Sequence, residues 1–221
     1  LDNYMRAFNQ PRSTVSLEQG EYANTGFTQW GASGLAAVWA EENTRDSIFK
    51  AFKRKETFAT TGTRIAVRFF AGYDLSEIDL NSEMLVTEAY QKGVTMGSDL
   101  LGDGEKAPEF IVWAQRDKNG APLQRVQIIK GWVDGSGRTH EKVFDVICSD
   151  GLQVDPLTNR CPDNGAKVNI NDCSITQNVG SPELKGNWVD PEFDVETKSF
   201  YYARVLENPT CRWSTWDAIS R

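Results

Sequence analysis

The chain has 221 residues, enough for one large or two small domains, with 39 % hydrophobic and 25 % charged residues, an ordinary soluble composition. Its net charge of −7 argues against a nucleic-acid partner, because phosphate neutralisation needs a basic surface, and it disfavours anionic lipid. No apolar run reaches the length of about 18 residues that a membrane span needs.

The chain starts at Leu1, without Met and without a signal-peptide pattern, so we read it as processed or as a fragment. Residues 1–33 are rich in Asn, Gln, Ser, Thr and Gly and lack periodicity, which predicts a long loop. Gly34 to Trp39 (GLAAVW) is a short apolar run that predicts a buried strand with neighbours on both faces. A helix is predicted over residues 44–55. Asn43 is the expected N-cap, with Asp46 at the third helical position. Ile48, Phe49 and Phe52 share one face, and Lys53, Arg54 and Lys55 complement the carbonyl end.

From Arg64 the period changes to two: Ile65, Val67 and Phe69 alternate with Arg64, Ala66 and Arg68. A helix is expected over 82–92, with Gly93 as its C′ glycine. Further strands are expected over Phe110–Gln115, Leu123–Val133 and Thr139–Ile147, with an Asn119-Gly120 hairpin turn and a second turn over Asp134–Gly137. Residues 149–198 read as loop-rich, with Pro156, Pro162 and Pro182. Ser199–Glu207 is a last strand, with Phe200, Tyr202 and Leu206 opposite Tyr201, Ala203 and Val205. The fold class predicted is mainly β, an antiparallel β-sandwich-like domain over 64–221, behind an N-terminal α/β segment over 1–63.

Chemistry-bearing residues are sparse. His140 is the single histidine, in a strand, and reads as a surface residue. A catalytic triad would need it beside a nucleophile, and no G-x-S-x-G elbow is present. The clusters Asp99, Asp103, Glu105 and Asp155, Asp163, Asn164 lack calcium-loop spacing and read as acidic loops and turns. Glu41, Glu42 and Arg45 stand out because they lie between a strand end and a helix start, where α/β folds gather ligand-binding groups. Helix-dipole complementation alone would equally account for them.

The cysteines Cys148, Cys161, Cys173 and Cys211 lie in loop-rich sequence without C-x-x-C spacing, which predicts two disulfides and an oxidising compartment. Of the three pairings available, Cys148–Cys161 and Cys173–Cys211 are preferred: the first closes a short loop over Pro156, the second pins the irregular stretch before the last strand. Cys161–Cys173 is also a short loop and stays open as an alternative.

GLAAVWAEENTRDSIFKAFKRKETFATTGTRI (Gly34–Ile65), PLQRVQIIKGWV (Pro122–Val133), the Leu184–Phe193 stretch ending in WVDPEF, and SFYYARVLENPTCRW (Ser199–Trp213) resemble motifs of the bacterial domain-of-unknown-function family 3604, which is related to the PHP (polymerase and histidinol phosphatase) metal-dependent hydrolases. The resemblance implies a secreted or periplasmic parent whose PHP-like barrel carries the metal motifs upstream. Residues 1–63 would then be the tail of that barrel and 64–221 a β-rich C-terminal domain, with both ends cut. It implies no catalytic residue and no cofactor in this fragment, a divalent metal in the parent, and a phosphate or sulfate ester as substrate. Glu41, Glu42 and Arg45 would sit at the active-site rim, and the partner of this chain would be the remainder of its own barrel. The alternative is a non-catalytic β-sandwich binding or structural module using exposed aromatics such as Trp188, Trp213 and Trp216.

Overall fold

A computed structural model describes residues 14–17, 20–23, 34–104 and 106–219. The chain divides into two compact units, Leu1–Gly34 and Leu35–Arg221. In the first, β1 (Thr14–Leu17) and β2 (Gly20–Ala23) form an antiparallel hairpin, with Thr14 opposite Ala23 and Leu17 opposite Gly20. This corrects the loop expected there; the rest of that expectation lies outside the described residues.

The second unit begins with β3 (Leu35–Val38), α1 (Arg45–Lys53) and β4 (Thr57–Thr60), and β3 pairs with β4 antiparallel. The helix is present, but three local expectations fail. Thr44, not Asn43, is the N-cap, its hydroxyl accepting from Ser47 N–H at 3.3 Å. That register moves Asp46 to the second helical position. Strand β3 is not buried on both faces: Leu35 and Ala36 are exposed, and β4 is its single sheet neighbour among the described residues. Finally, α1 buries Ser47 and Ala51 rather than its phenylalanines, which leaves Phe49 and Phe52 exposed. Small side chains at i and i+4 let the helix pack closely.

The main body contains β5 (Ala66–Gly72), a 3₁₀ turn (Leu75–Glu77), α2 (Leu85–Lys92), β6 (Gly93–Thr95), β7 (Glu109–Gln115), β8 (Leu123–Val133), β9 (Thr139–Cys148), β10 (Glu183–Val189), β11 (Ser199–Glu207) and α3 (Trp213–Ile219). Two antiparallel sheets form, in the orders β10-β7-β5-β6 and β11-β8-β9. The chain is therefore mainly β and antiparallel, as the alternation predicted.

The Asp134–Gly137 turn joins β8 to β9 as expected, whereas Asn119-Gly120 does not close a hairpin. Strand β7 pairs with β5 and β10, and β8 with β9 and β11, so this turn carries the chain from one sheet to the other. Strand β10 lies within the stretch expected to be loop-rich, where no strand was expected. Gly93 is not a left-handed C′ residue either, since its φ is −145°. It pairs with Gly72 at the start of β6, and a side chain there would fall against the Ala71 carbonyl.

Phe69, Phe110, Val112, Ala114 and Leu184 from the four-stranded sheet meet Leu123, Val126 and Ile128 of β8 to form the core. Phe110 is its hub, with ring centroids 5.4 Å from Phe69 and 4.6 Å from Tyr201. Each such buried side chain contributes about 1.5–3 kcal/mol. The opposite face of the four-stranded sheet is also covered: Phe70 and Ile111 pack under Leu75, Ile78, Leu85 and Ala89. This two-sided burial explains the continuous apolar run Phe110-Ile111-Val112 in β7, which a half-exposed strand would interrupt with polar residues.

Candidate functional site

Thr44 and Ser47 organise the turn that carries the three residues singled out from the sequence. Ser47 Oγ accepts from Glu42 N–H at 3.3 Å and donates to Glu41 Oε2 at 2.9 Å. Glu41 also meets Arg54 Nη2 at 3.1 Å. Its own backbone N–H, the Ser47 hydroxyl and the Arg54 charge hold its carboxyl below the ordinary glutamate range. Glu42 accepts weakly from the Thr44 hydroxyl at 3.4 Å. All three residues are exposed, and Arg45 has no partner among the described residues. The structure thus gathers Glu41, Glu42 and Arg45 on one helix entry, with Glu41 committed to an internal ion pair.

Beneath this turn lies a group that the sequence did not reveal. Glu56, 1 % exposed, receives Arg54 Nε at 2.8 Å, Thr95 Oγ1 at 3.1 Å and the Tyr90 hydroxyl. Arg54 reaches on to the Trp39 carbonyl at 2.8 Å, and Arg68 Nη1 donates to Tyr90 at 3.2 Å. Burial and the bond to Glu56 push the Tyr90 phenol above its ordinary range. A buried carboxylate is costly unless its oxygens are bonded, and here each one is. The network fastens the β3–α1–β4 segment to β5, α2 and β6. In the sequence, Glu56 follows a basic helix end and looks like one more surface charge, so no local signal marks it.

A second buried pair lies between the two sheets. Lys130 Nζ donates to Asp190 Oδ2 and to the Glu192 carbonyl, each at 2.6 Å, and Tyr201 donates to the same Asp190 oxygen at 2.6 Å. Burial, reinforced by Asp190, pushes the Tyr201 phenol far above its ordinary range. A sequence signal did exist here: Val126, Ile128, Lys130 and Trp132 share the inward face of β8, so the alternation itself points a lysine into the core.

The remaining candidates, apart from the exposed Asp99, have structural uses. His140 bonds Asp134 at 2.8 Å and stacks on Trp132. Asp103 pairs with Lys106, and Glu105 lies outside the described residues. Asp155 and Asp163 accept from the backbone two residues on, as turn formers do. Trp188 is half-buried against Phe110 and Phe144, Trp216 is exposed, and the side chain of Trp213 lies outside the described residues. Among the described residues, no group of three or more His, Cys, Asp or Glu side chains could hold a metal ion.

Residues 2–221 match the family described as "Protein of unknown function (DUF3604)". The chain belongs to that family. No curated protein and no solved structure matches it.

Both expected disulfides are formed. Cys148 is bonded to Cys161 and Cys173 to Cys211, each with Cα atoms 5.6 Å apart. Among the described residues, no helix is long and apolar enough to cross a membrane.

Proposed function

We propose that this DUF3604 chain is the C-terminal, non-catalytic part of a PHP-like metal-dependent hydrolase of phosphate or sulfate esters. It would support the barrel that carries the metal and complete the rim of its active site. The observation that carries the reading is the outer surface of the β3–α1–β4 segment. Leu35, Phe49 and Phe52 are between 45 % and 59 % exposed there, while Glu56 and Arg54 anchor the segment underneath. An apolar surface on a firmly held element supports a neighbouring domain as its cover. That neighbour is the remainder of the barrel, to which residues 1–63 belong in this reading, with 64–221 as the β-rich domain. Glu41, Glu42 and Arg45 open the same helix, so covering its apolar side leaves the helix entry at the edge of the joint. The two disulfides support a periplasmic or secreted location.

The test uses the full-length protein with a divalent metal and aryl phosphate and aryl sulfate esters. The parent should turn over at least one ester class, and the present chain alone neither. Phe49→Ser with Phe52→Ser should lower parental turnover while the isolated chain keeps its stability. Glu42→Ala and Arg45→Ala should lower turnover without lowering stability, because neither residue takes part in the Glu56 network. Full parental activity in all of these variants removes the proposal.

A further inference from the structure

Lys130 interrupts an otherwise apolar inward face of β8, and burying an ammonium between two sheets costs several kcal/mol unless it is well partnered. Its surroundings are unusually specific. Nζ lies 2.6 Å from Asp190 Oδ2, and the side chains of Lys130 and Asp190 are 5 % and 0 % exposed. The Tyr201 hydroxyl points at that same oxygen from 2.6 Å. The other oxygen, Oδ1, is held separately by Glu192 N–H at 2.9 Å. The rings of Trp132 and Tyr201 lie 5.6 and 5.9 Å from Nζ, and Phe110 stands behind Tyr201. Amine, carboxyl and proton donor are therefore fixed against one another in an apolar cage.

We propose that Lys130 and Asp190 become joined by an amide bond between Lys130 Nζ and Asp190 Cγ, formed within the folded protein with release of one water. The amine must be neutral to attack, so the ammonium first passes a proton to Oδ2 across the 2.6 Å contact. The nitrogen lone pair then attacks Cγ. As the Cγ–Oδ2 bond breaks, Tyr201 gives its proton to the departing Oδ2, which leaves as water, and takes back the proton that Nζ sheds. The step consumes no oxidant or other reactant; fixing amine and carboxyl together lowers the entropy cost of the condensation, and exclusion of bulk water disfavours its reversal.

The product fits the groups already in place. Oδ1 becomes the amide oxygen and keeps the Glu192 N–H. The remaining Nζ–H keeps the Glu192 carbonyl, which Nζ already meets at 2.6 Å. Burial holds Tyr201 in its protonated, donating form. The bond would tie β8 of the three-stranded sheet to the residue just after β10 of the four-stranded sheet, closing the sandwich covalently.

The experiment is mass spectrometry of the full-length protein, denatured and reduced, with trypsin mapping. The expected result is a chain lighter by one water, no cleavage after Lys130, and a branched peptide containing Lys130 and Asp190. Cyclisation at Asp103-Gly104, Asp134-Gly135 or Asp150-Gly151 would release the same mass, so Lys130→Arg is the control. It should restore the full mass and abolish the branched peptide. Asp190→Asn should release ammonia in place of water, or not link at all. Tyr201→Phe should slow bond formation by about 10² to 10⁴-fold, the usual scale of general acid–base catalysis. Unmodified peptides carrying Lys130 and Asp190 from folded, aged wild-type protein overturn the proposal, as does a water loss that persists in Lys130→Arg.

Discussion

The guanidinium carbon of Arg68 lies 3.7 Å from the centre of the Trp39 ring, and the Trp39 indole N–H donates to the carbonyl of Val67, the residue before Arg68, at 2.8 Å. One side chain at the end of β3 thus grips β5 twice, by a cation–π contact and a hydrogen bond. The first is worth about 0.5–2 kcal/mol and the second about 1 kcal/mol.

These two contributions can be separated. Trp39→Phe keeps an aromatic face for Arg68 but loses the N–H, and should cost about 1 kcal/mol. Trp39→Ala loses both and should cost about 2–3 kcal/mol. Urea unfolding followed by circular dichroism measures each. Equal losses in the two variants would show that Arg68 gains nothing from the ring.

Glu56 should be the most sensitive polar position of the same region. Glu56→Ala leaves Arg54 and Tyr90 without their buried partner and should cost about 3–5 kcal/mol. Tyr90→Phe removes two bonds, the one to Glu56 and the one from Arg68, and should cost about 1–2 kcal/mol. In the double variant the losses should fall short of additive, since both act through one network. Strict additivity in the unfolding midpoints would contradict a shared network.

Much of the β architecture was legible because period two is a direct consequence of half-burial. Tyr201, Ala203 and Val205 face the core, while Phe200 and Tyr202 face outward, as the alternation required. Strand β10 escaped because Gly186 and Asn187 interrupt its middle; Gly186 is needed where Ile147 packs, 3.0 Å from any added Cβ. Asn119-Gly120 misled because a turn signal reports local backbone geometry and carries no information about which strands then pair. The gathering of Glu41, Glu42 and Arg45 at one helix entry was legible from their place between strand and helix. Glu56 was not, because its partners Tyr90 and Thr95 come together only in the tertiary structure.

Two carboxylates should tilt stability with pH in opposite directions. Asp134 is held well below the ordinary range, first by the Ser136 hydroxyl, then by His140 and the Arg138 N–H. Its contribution is present above its unfolded pKa of about 3.9 and is lost as pH falls further. Burial raises Glu207 against the weaker effect of Thr63, so the folded state holds its proton longer than the unfolded chain. That contribution is complete below about pH 4.3 and is lost as pH rises through the folded pKa. Thermal melts across acid pH should therefore show a shallower acid-side loss in Asp134→Asn and a shallower loss on the rising side in Glu207→Gln. Slopes unchanged from wild type in both variants would refute these assignments.

Phe200 is exposed because it covers a glycine. It stands opposite Gly131 on β8, and a Cβ at Gly131 would overlap its ring. Gly131→Ala should destabilise by no more than about 1 kcal/mol, because the exposed Phe200 ring can swing aside. In a Phe200→Ala background the same substitution should be close to neutral. If its cost is the same in both backgrounds, the ring is not what reserves the space.

The two disulfides should differ in weight. Cys148–Cys161 spans 13 residues, and Cys173–Cys211 spans 38. In the chain-entropy description a cross-link stabilises by restricting the unfolded chain, by about 3 kcal/mol for the shorter loop and about 4 kcal/mol for the longer. The folded state modifies that ranking. Cys161 N–H is bonded to the fully buried carboxylate of Asp145 at 2.8 Å, and Asp145 also receives Gln127 at 2.6 Å and Arg160 at 3.3 Å. The short loop therefore keeps non-covalent anchors after its bond is removed. Cys173, with a positive φ of 57°, is held by its N–H to the Asn169 carbonyl at 2.7 Å, within its own loop. Replacing Cys173 and Cys211 by serine should thus lower the melting temperature more than replacing Cys148 and Cys161. The gap should widen beyond the about 1 kcal/mol that loop length alone predicts. Limited proteolysis should cut the Cys173–Cys211 variant within residues 174–182 while leaving the β8–β9 hairpin intact in both. A larger loss from the Cys148–Cys161 variant would mean that Asp145 does not hold its loop without the bond.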